Sequence, residues 1–432
     1  MLMKKNFKKI LLILSAILLV VIIYLDTQII HDGKQAKIYK KDYATLHSVA
    51  FGMFNSDIWT QKITKIVDNK IQNFDLNVNN KEQIKSYIET ILNTLILEAD
   101  RAVRQKNKGK RGFFDSILGS TKQMITDSIL DIKTLRKRVP EFTDAVMLEI
   151  EKPENQAKAK QVIREKLQQF MQEKFVPSTD MSLFNNVLNK YHTTHSDTCN
   201  TILNQDIQQI SKTMHNLMLI ILFLAVCIIL FILLQGRLSS LGLIILSGTT
   251  VALLFPGIML PMLDIEAKIA KLSFTVLEQP IIFHNQMLFY QSKSISDLVQ
   301  LLLDSHKVKM IFVGILLVMF SIIFPTLKLI ATYLYYYSSS ILGNNPIVRF
   351  FALRSTKWSM ADVMVVSIFM AYLGLDGVVG NELEHLEKQS QPMNIITTNG
   401  THLEIGFFLF LGFVLTSFVL SSLVEKSHTK DT

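Results

Sequence analysis

Residues 310–335 read MIFVGILLVMFSIIFPTLKLIATYLY, 26 positions with one formal charge, on Lys328. A helix needs about 20 apolar residues to cross a hydrocarbon layer of ~30 Å, so this stretch predicts a membrane span. Five more stretches have the same character: Ile10 to Leu25, Leu217 to Leu234, Leu241 to Met262, Ala361 to Val379 and Ile405 to Val424. The chain has 432 residues, a net charge of +9 and a mean hydropathy of +0.30, averages that hide the segregation. Residues 31–214 hold 28 Lys+Arg against 22 Asp+Glu, whereas the spans are nearly free of charge. A purely cytosolic globular protein is thereby excluded. Two cysteines, Cys199 and Cys227, exclude a disulfide scaffold and a four-thiolate zinc ribbon.

The first span follows Lys4, Lys5, Lys8 and Lys9, a leader that also suits a secretory signal peptide. No small-x-small cleavage site follows, so an uncleaved anchor is expected. Lysine and arginine in the short loops set the orientation. With the N-terminus inside, Arg237, Arg349, Arg354, Lys357, Lys426 and Lys430 also fall inside, and the outer loop 380–404 holds Lys388 against four glutamates. The loop 263–309 dissents, with five lysines balanced by five acids. Both termini are therefore placed in the cytoplasm, with residues 31–214 outside.

Between the first two spans the periodicity is helical. Ile84, Tyr87, Ile88, Ile91, Leu92, Leu95 and Ala99 make one stripe, and Trp59, Ile63, Ile66, Val67 and Phe74 a second. Val162, Leu167, Phe170 and Met171 make a third. A last helix after Ser178-Thr179-Asp180 is expected to run unbroken through Cys199 and Ile210 into the second span. The run Arg101, Arg104, Lys106, Lys108, Lys110 and Arg111 has two readings: contact with anionic headgroups or an acidic partner, or a solvated interhelical loop. His192, His195 and Cys199, at i, i+3 and i+7, would share a helix face. A partly buried stripe explains them better than a zinc site, because no matching ligand cluster exists elsewhere. No metal, cofactor or nucleic-acid partner is expected.

The informative chemistry lies in the last four spans. Pro256 and Pro261, near the outer end of the third, each remove an amide donor and disturb the carbonyl four residues back. This is either broken helix sheltered by protein or a kink at a helix end. In the fourth span Ser321, Pro325 and Lys328 lie on one face. Lys328 is 18 residues past Met310, about 27 Å along a helix, where a lysine can snorkel to the cytoplasmic interface. An intramembrane ionisable group is equally a functional hypothesis. Lys357-Trp358-Ser359-Met360-Ala361-Asp362 opens the fifth span. There Ser359 and Asp362 fit a helix cap, and Asp362 sits at the depth of Lys328, so the two could pair.

Leu-x-x-x-x-x-Leu-Pro (Leu254 to Pro261) at the end of one span, Ser-x-x-x-Pro-x-x-Lys in the next and Lys-Trp-Ser-Met-x-Asp-Val opening a third together resemble the paraquat-inducible protein A (PqiA/LetA-type) family. Ser294-Ile295-Ser296-Asp297-Leu298-Val299 resembles the family's amphipathic helix, and the resemblance covers roughly residues 240–425. It implies an inner-membrane protein working with MCE-domain proteins that carry lipid across the periplasm. It aligns Ser321, Pro325, Lys328, Trp358, Ser359, Met360 and Asp362 with the family's motif residues. Lys357 stands where the family usually has arginine. Many relatives have two tandem modules, each with a Cys-x-x-Cys ribbon; this chain has one module, no ribbon and an extra pair of spans.

The expected architecture is all-α: a polytopic membrane protein of about six transmembrane helices with a helical extracytoplasmic domain. Its divisions are a signal-anchor helix at 1–30, a helical periplasmic domain at 31–214, a second transmembrane helix at 215–238 and a four-helix PqiA/LetA-like module at 239–432. The expected function is non-enzymatic: loading or unloading membrane phospholipid for an MCE-type or other periplasmic lipid-transport partner. Lys328, Ser321, Asp362 and Thr326 would line the headgroup's path. The alternative is a membrane sensor that signals through a separate partner, since the loop from Tyr336 to Trp358 is too short for an output domain.

Overall fold

The structure, a computed structural model, describes residues 2–53, 132–150, 180–235, 238–276, 279–337, 345–351, 361–389 and 394–428, with single positions between 55 and 93 and at 161 and 165. The described residues form helices α1 (Leu2–Leu46), α2 (Ile132–Ile150), α3 (Ser182–Lys190), α4 (Ser196–Leu234) and α5 (Ser240–Met259), then strands β1 (Leu263–Val276) and β2 (Gln279–Lys293). After the amphipathic α6 (Ile295–Leu303) come α7 (Val308–Val318), a π-helical turn at Met319–Ile323, α8 (Phe324–Tyr337) and the short α9 (Pro346–Arg349). The chain ends with α10 (Ala361–Gln389), β3 (Asn394–Asn399), β4 (His402–Leu403) and α11 (Ile405–His428).

Among the described residues, six helices are long and apolar enough to cross a membrane: Phe7–Leu46, Ser196–Leu234, Ser240–Met259, Val308–Tyr336, Val363–Asn381 and Ile405–Lys426. The molecule is therefore mostly helical and multi-pass, as the six apolar stretches predict. α1 and α4 far exceed the bilayer: 45 and 39 residues make about 67 and 58 Å at 1.5 Å per residue. They pair along their length and pack onto α5 and α11. One apolar core joins all four, with Ile22, Ile221, Ile228, Leu243, Leu246, Leu253, Leu409 and Phe410 fully enclosed. The first two spans are thus part of the same packed body as α5 and α11.

Packing in that body is close. A Cβ on Gly257 of α5 would stand 2.9 Å from the Phe410 amide nitrogen and 3.0 Å from its Cα, so only glycine lets α5 and α11 meet there. The other two spans are attached at the side. Of the most apolar window in α5 and α11, 67% and 50% of residues are buried; in α1 and α4, 22% and 28%; and in the fourth and fifth spans, 17% and 6%.

Between the third and fourth spans, the amphipathic helix expected at Ser294–Val299 is present as α6, but it is preceded by a long antiparallel hairpin in a stretch whose charges predict only a loop. β1 pairs with β2 from Leu263↔Lys293 to Val276↔Gln279, and β3 and β4 add to its other edge. Leu263, Ile265, Ala267 and Ile269 alternate with Asp264, Glu266 and Lys268, which is strand periodicity. The register shifts opposite Ala267 and Lys268, where β2 carries the extra residue Leu288, so the alternation of β2 does not keep one phase. The end of α1 joins this head through main-chain bonds: Val49 N–H donates to the Met287 carbonyl (3.1 Å), and Met287 N–H to that of His47 (2.7 Å).

A second correction concerns the helix leading into the second span. It is broken at residues 191–195: α3 stops at Lys190, His192 adopts φ 51°, and α4 starts afresh at Ser196. His192 and His195 therefore do not share a helix face with Cys199, which is fully buried beside Leu46, Val187 and Leu203. Of the first two stripes, Ile66, Ile84, Ile88 and Leu92 are described and buried. The third stripe and the basic run at 101–111 lie outside the described residues.

Candidate functional site

Pro325 has no amide hydrogen, so the helix cannot close its ladder onto Ser321. The chain answers with a π-helical turn over Met319–Ile323, at whose end the Phe324 amide donates to the Met319 carbonyl, five residues back. Ser321, inside this turn, is fully buried; its Oγ donates to the Leu317 carbonyl (2.6 Å) and contacts Met364 Sδ on α10 (3.1 Å). Seven residues on, Lys328 is only 2% exposed, and its Nζ donates to Ser417 Oγ on α11 at 2.9 Å. The ammonium thus turns into the protein, whereas a snorkelling lysine would reach outward. Lys328 lies eight residues before Tyr336, about 12 Å inside the end of the span.

Two further groups continue the face. Thr332 is buried and donates to the Lys328 carbonyl (2.7 Å); Tyr336 Oη donates to the Leu238 carbonyl (2.7 Å) at the foot of α5. Ser321, Lys328, Thr332 and Tyr336 fall at i, i+7, i+11 and i+15, one stripe of a helix. It is a polar strip about 22 Å long, from mid-span to the end of the helix opposite the sheet. Thr332 and Tyr336 were readable from their spacing to Lys328. Ser417 was not, because nothing local ties it to a residue 89 positions away.

Of the other expected residues, Thr326 is exposed and bonds its own helix, Oγ1 to the Ile322 carbonyl (2.6 Å); it does not join Ser321 and Lys328 on the buried face. Pro325 is buried on that face. Asp362 lies in the first turn of α10, but its side chain is outside the described residues, as are Lys357, Trp358, Ser359 and Met360. Pro256 is buried within α5, and Pro261 follows the helix end. There the Pro261 carbonyl accepts from Gly406 N–H (2.9 Å) and that of Met262 from Glu404 N–H (2.9 Å). The backbone near Pro261 is thus satisfied by α11 and its lead-in.

A second polar centre lies in the head, and sequence reading missed it. Lys40 Nζ touches Asp264 Oδ2 and Glu404 Oε1, each at 2.7 Å, and Lys37 Nζ meets Asp297 at 2.6 Å. Asp297 also closes a capping box with Ser294 at the start of α6. Burial, with the Asp264 charge alongside, pushes the Glu404 carboxyl up to about 7 against the pull of Lys40. In α1, Asp26 is 6% exposed with its Oδ1 unpartnered.

Fold and site define a multi-pass helical membrane protein with a buried lysine in a proline-interrupted span. Residues 279–380 match the model of the family described as Paraquat-inducible protein A. The match takes in β2, α6, the fourth span with its π turn and lysine, and most of α10. It is less than half of the chain and narrower than the 240–425 read from the motifs. No curated protein and no solved structure matches the chain.

Proposed function

We propose that the protein is an inner-membrane component of a lipid-transport system, loading or unloading phospholipid for an MCE-type periplasmic partner. The observation that carries this reading is Lys328: an ammonium withdrawn from solvent and held on Ser417, in the span that resembles the paraquat-inducible protein A family. A charge inside the bilayer is costly and is retained where it meets a substrate or relay. A phosphate moving along a stripe of hydroxyls with one fixed positive charge keeps polar partners that hydrocarbon denies it. The fourth and fifth spans, mostly uncovered by protein, leave the acyl chains in lipid meanwhile.

In this reading both termini are cytoplasmic, and residues 31–214 dock the partner in the periplasm. Asp362 joins the path at the mouth of α10, and Thr326 meets the lipid on the outer side of α8. The chain acts as a transporter, not an enzyme, and energy enters through a partner. The test is Lys328→Ala. The variant is expected to insert and melt like the parent but to lose rescue of the outer-membrane barrier in cells lacking the protein. A fully active variant would overturn the reading. Gentle purification followed by mass spectrometry is expected to retain phospholipid together with an MCE-domain protein.

A further inference from the structure

A small cavity lies where α1, α4, β2 and the lead-in to α11 converge, lined by Gly33, Lys37, Lys40, Ser211, Ser292 and Glu404. Pro261, just past α5, and Ile405, the first residue of α11, also border it, so it sits level with the span ends, at the depth of phospholipid headgroups.

The charges around it do not balance. Lys37 is matched by Asp297, but Lys40 faces both Asp264 and Glu404, which leaves one surplus negative charge whenever Glu404, its carboxyl raised to about 7, is ionised. Hydrogen bonds are also missing. Asp264 is 4% exposed, and its Oδ1 has no partner. Ser292 stands opposite it in the β1–β2 register, is 8% exposed, and its Oγ lacks a well-formed hydrogen bond. Buried acceptors without donors are costly, and so is an unmatched buried charge. Both defects are cured by one small cation that donates hydrogen bonds.

We propose that this cavity binds a primary ammonium group, carried by the headgroup of an aminophospholipid. An –NH₃⁺ has three donors, enough for Ser292 Oγ and the Glu404 oxygens that line the cavity, with the Asp264 charge next to them. A quaternary ammonium has none. Among the described residues no group of three or more His, Cys, Asp or Glu is placed to hold a metal ion. Lys37, 42% exposed at the rim, offers its charge to the adjoining phosphate. Naming a lipid as carrier rests on the transport reading; the ammonium site itself does not.

The test uses the full-length protein in mild detergent, mixed with vesicles of equal phosphatidylethanolamine and phosphatidylcholine with matched chains. Retained lipid is read by native mass spectrometry. Phosphatidylethanolamine is expected to be retained about tenfold over phosphatidylcholine, the order of one set of charged hydrogen bonds. Ser292→Ala, which leaves the Lys40 ion pairs in place, and Asp264→Asn should bring the ratio near one, and dissolved ethanolamine should displace the lipid. If ethanolamine raises the melting temperature of the parent but not of Ser292→Ala, without lipid preference, the ammonium site stands and its source is a soluble amine. Equal retention with no response to ethanolamine overturns the proposal, as does a preference that Ser292→Ala leaves unchanged. This is an equilibrium readout, so an active Lys328→Ala protein that still prefers phosphatidylethanolamine would reject the transport route alone.

Discussion

Two parts of the membrane region are built differently. α1, α4, α5 and α11 share one apolar core, in which glycine lets backbones touch and Phe410 and Phe413 are almost wholly enclosed. The fourth and fifth spans share little of that core, with large apolar side chains such as Phe312, Ile315, Val366 and Met370 uncovered. Yet the family match reaches across the peripheral pair, which holds the π turn, Ser321 and Lys328. Without a hydrophobic drive between helices in lipid, close packing is what fixes spans together. The tightest packing thus lies between α5 and α11, while the buried lysine and the π turn lie in a span mostly uncovered by protein that reaches α11 through Ser417.

Substitutions sharpen the contrast in order of size. Phe410→Ala empties a fully enclosed site and is expected to cost about 3–5 kcal/mol, whereas Phe369→Ala, 43% exposed on α10, should cost almost nothing; denaturant titration in detergent compares them. Gly257→Ala forces a Cβ against the Phe410 backbone and should cost about 1–3 kcal/mol. Gly377→Ala in α10 meets nothing within 4 Å and should be neutral or stabilise by up to about 1 kcal/mol through helix propensity. Equal melting shifts for the two glycine variants would break the comparison.

The head adds a pH dependence. Glu404 has its folded pKa raised from 4.5 to about 7, so the folded state holds that proton more tightly than the unfolded chain. Its contribution to stability is fully present below about 4.5 and fades as pH rises through about 7. Lys40, Asp264, Tyr290 and Lys37 face the same centre. Glu404→Gln should therefore flatten the melting temperature between pH 5 and 8, a shift of a few degrees. The smallest effect is reserved for Thr326→Val, which removes one exposed hydroxyl bonded to its own helix and should leave folding unchanged within about 0.5 kcal/mol.

The spans were legible because twenty apolar residues in a row admit few other structures. The kink in the fourth was legible because Pro325 must disturb its own turn, although the π geometry was not foreseen. The hairpin is hidden because residues 263–309 balance five lysines against five acids, as a solvated loop would, and the extra residue Leu288 breaks the period of β2. The break before α4 rests on one positive φ at His192, a residue type that gives no warning of it. Where the Lys328 ammonium points, and that Lys40 reaches Asp264 and Glu404, are decided by partners far along the chain. Such pairings follow only once the helices have packed.

Position-resolved photo-crosslinking shows whether the strip along α8 receives a lipid headgroup. A phospholipid with the photoactivatable group in its headgroup is reconstituted with the full-length protein, and adducts are mapped by mass spectrometry. Adducts are expected at Ser321, Lys328 and Ser417, deep inside the spans. Adducts confined to the ends of the helices, with none on that strip, would contradict it.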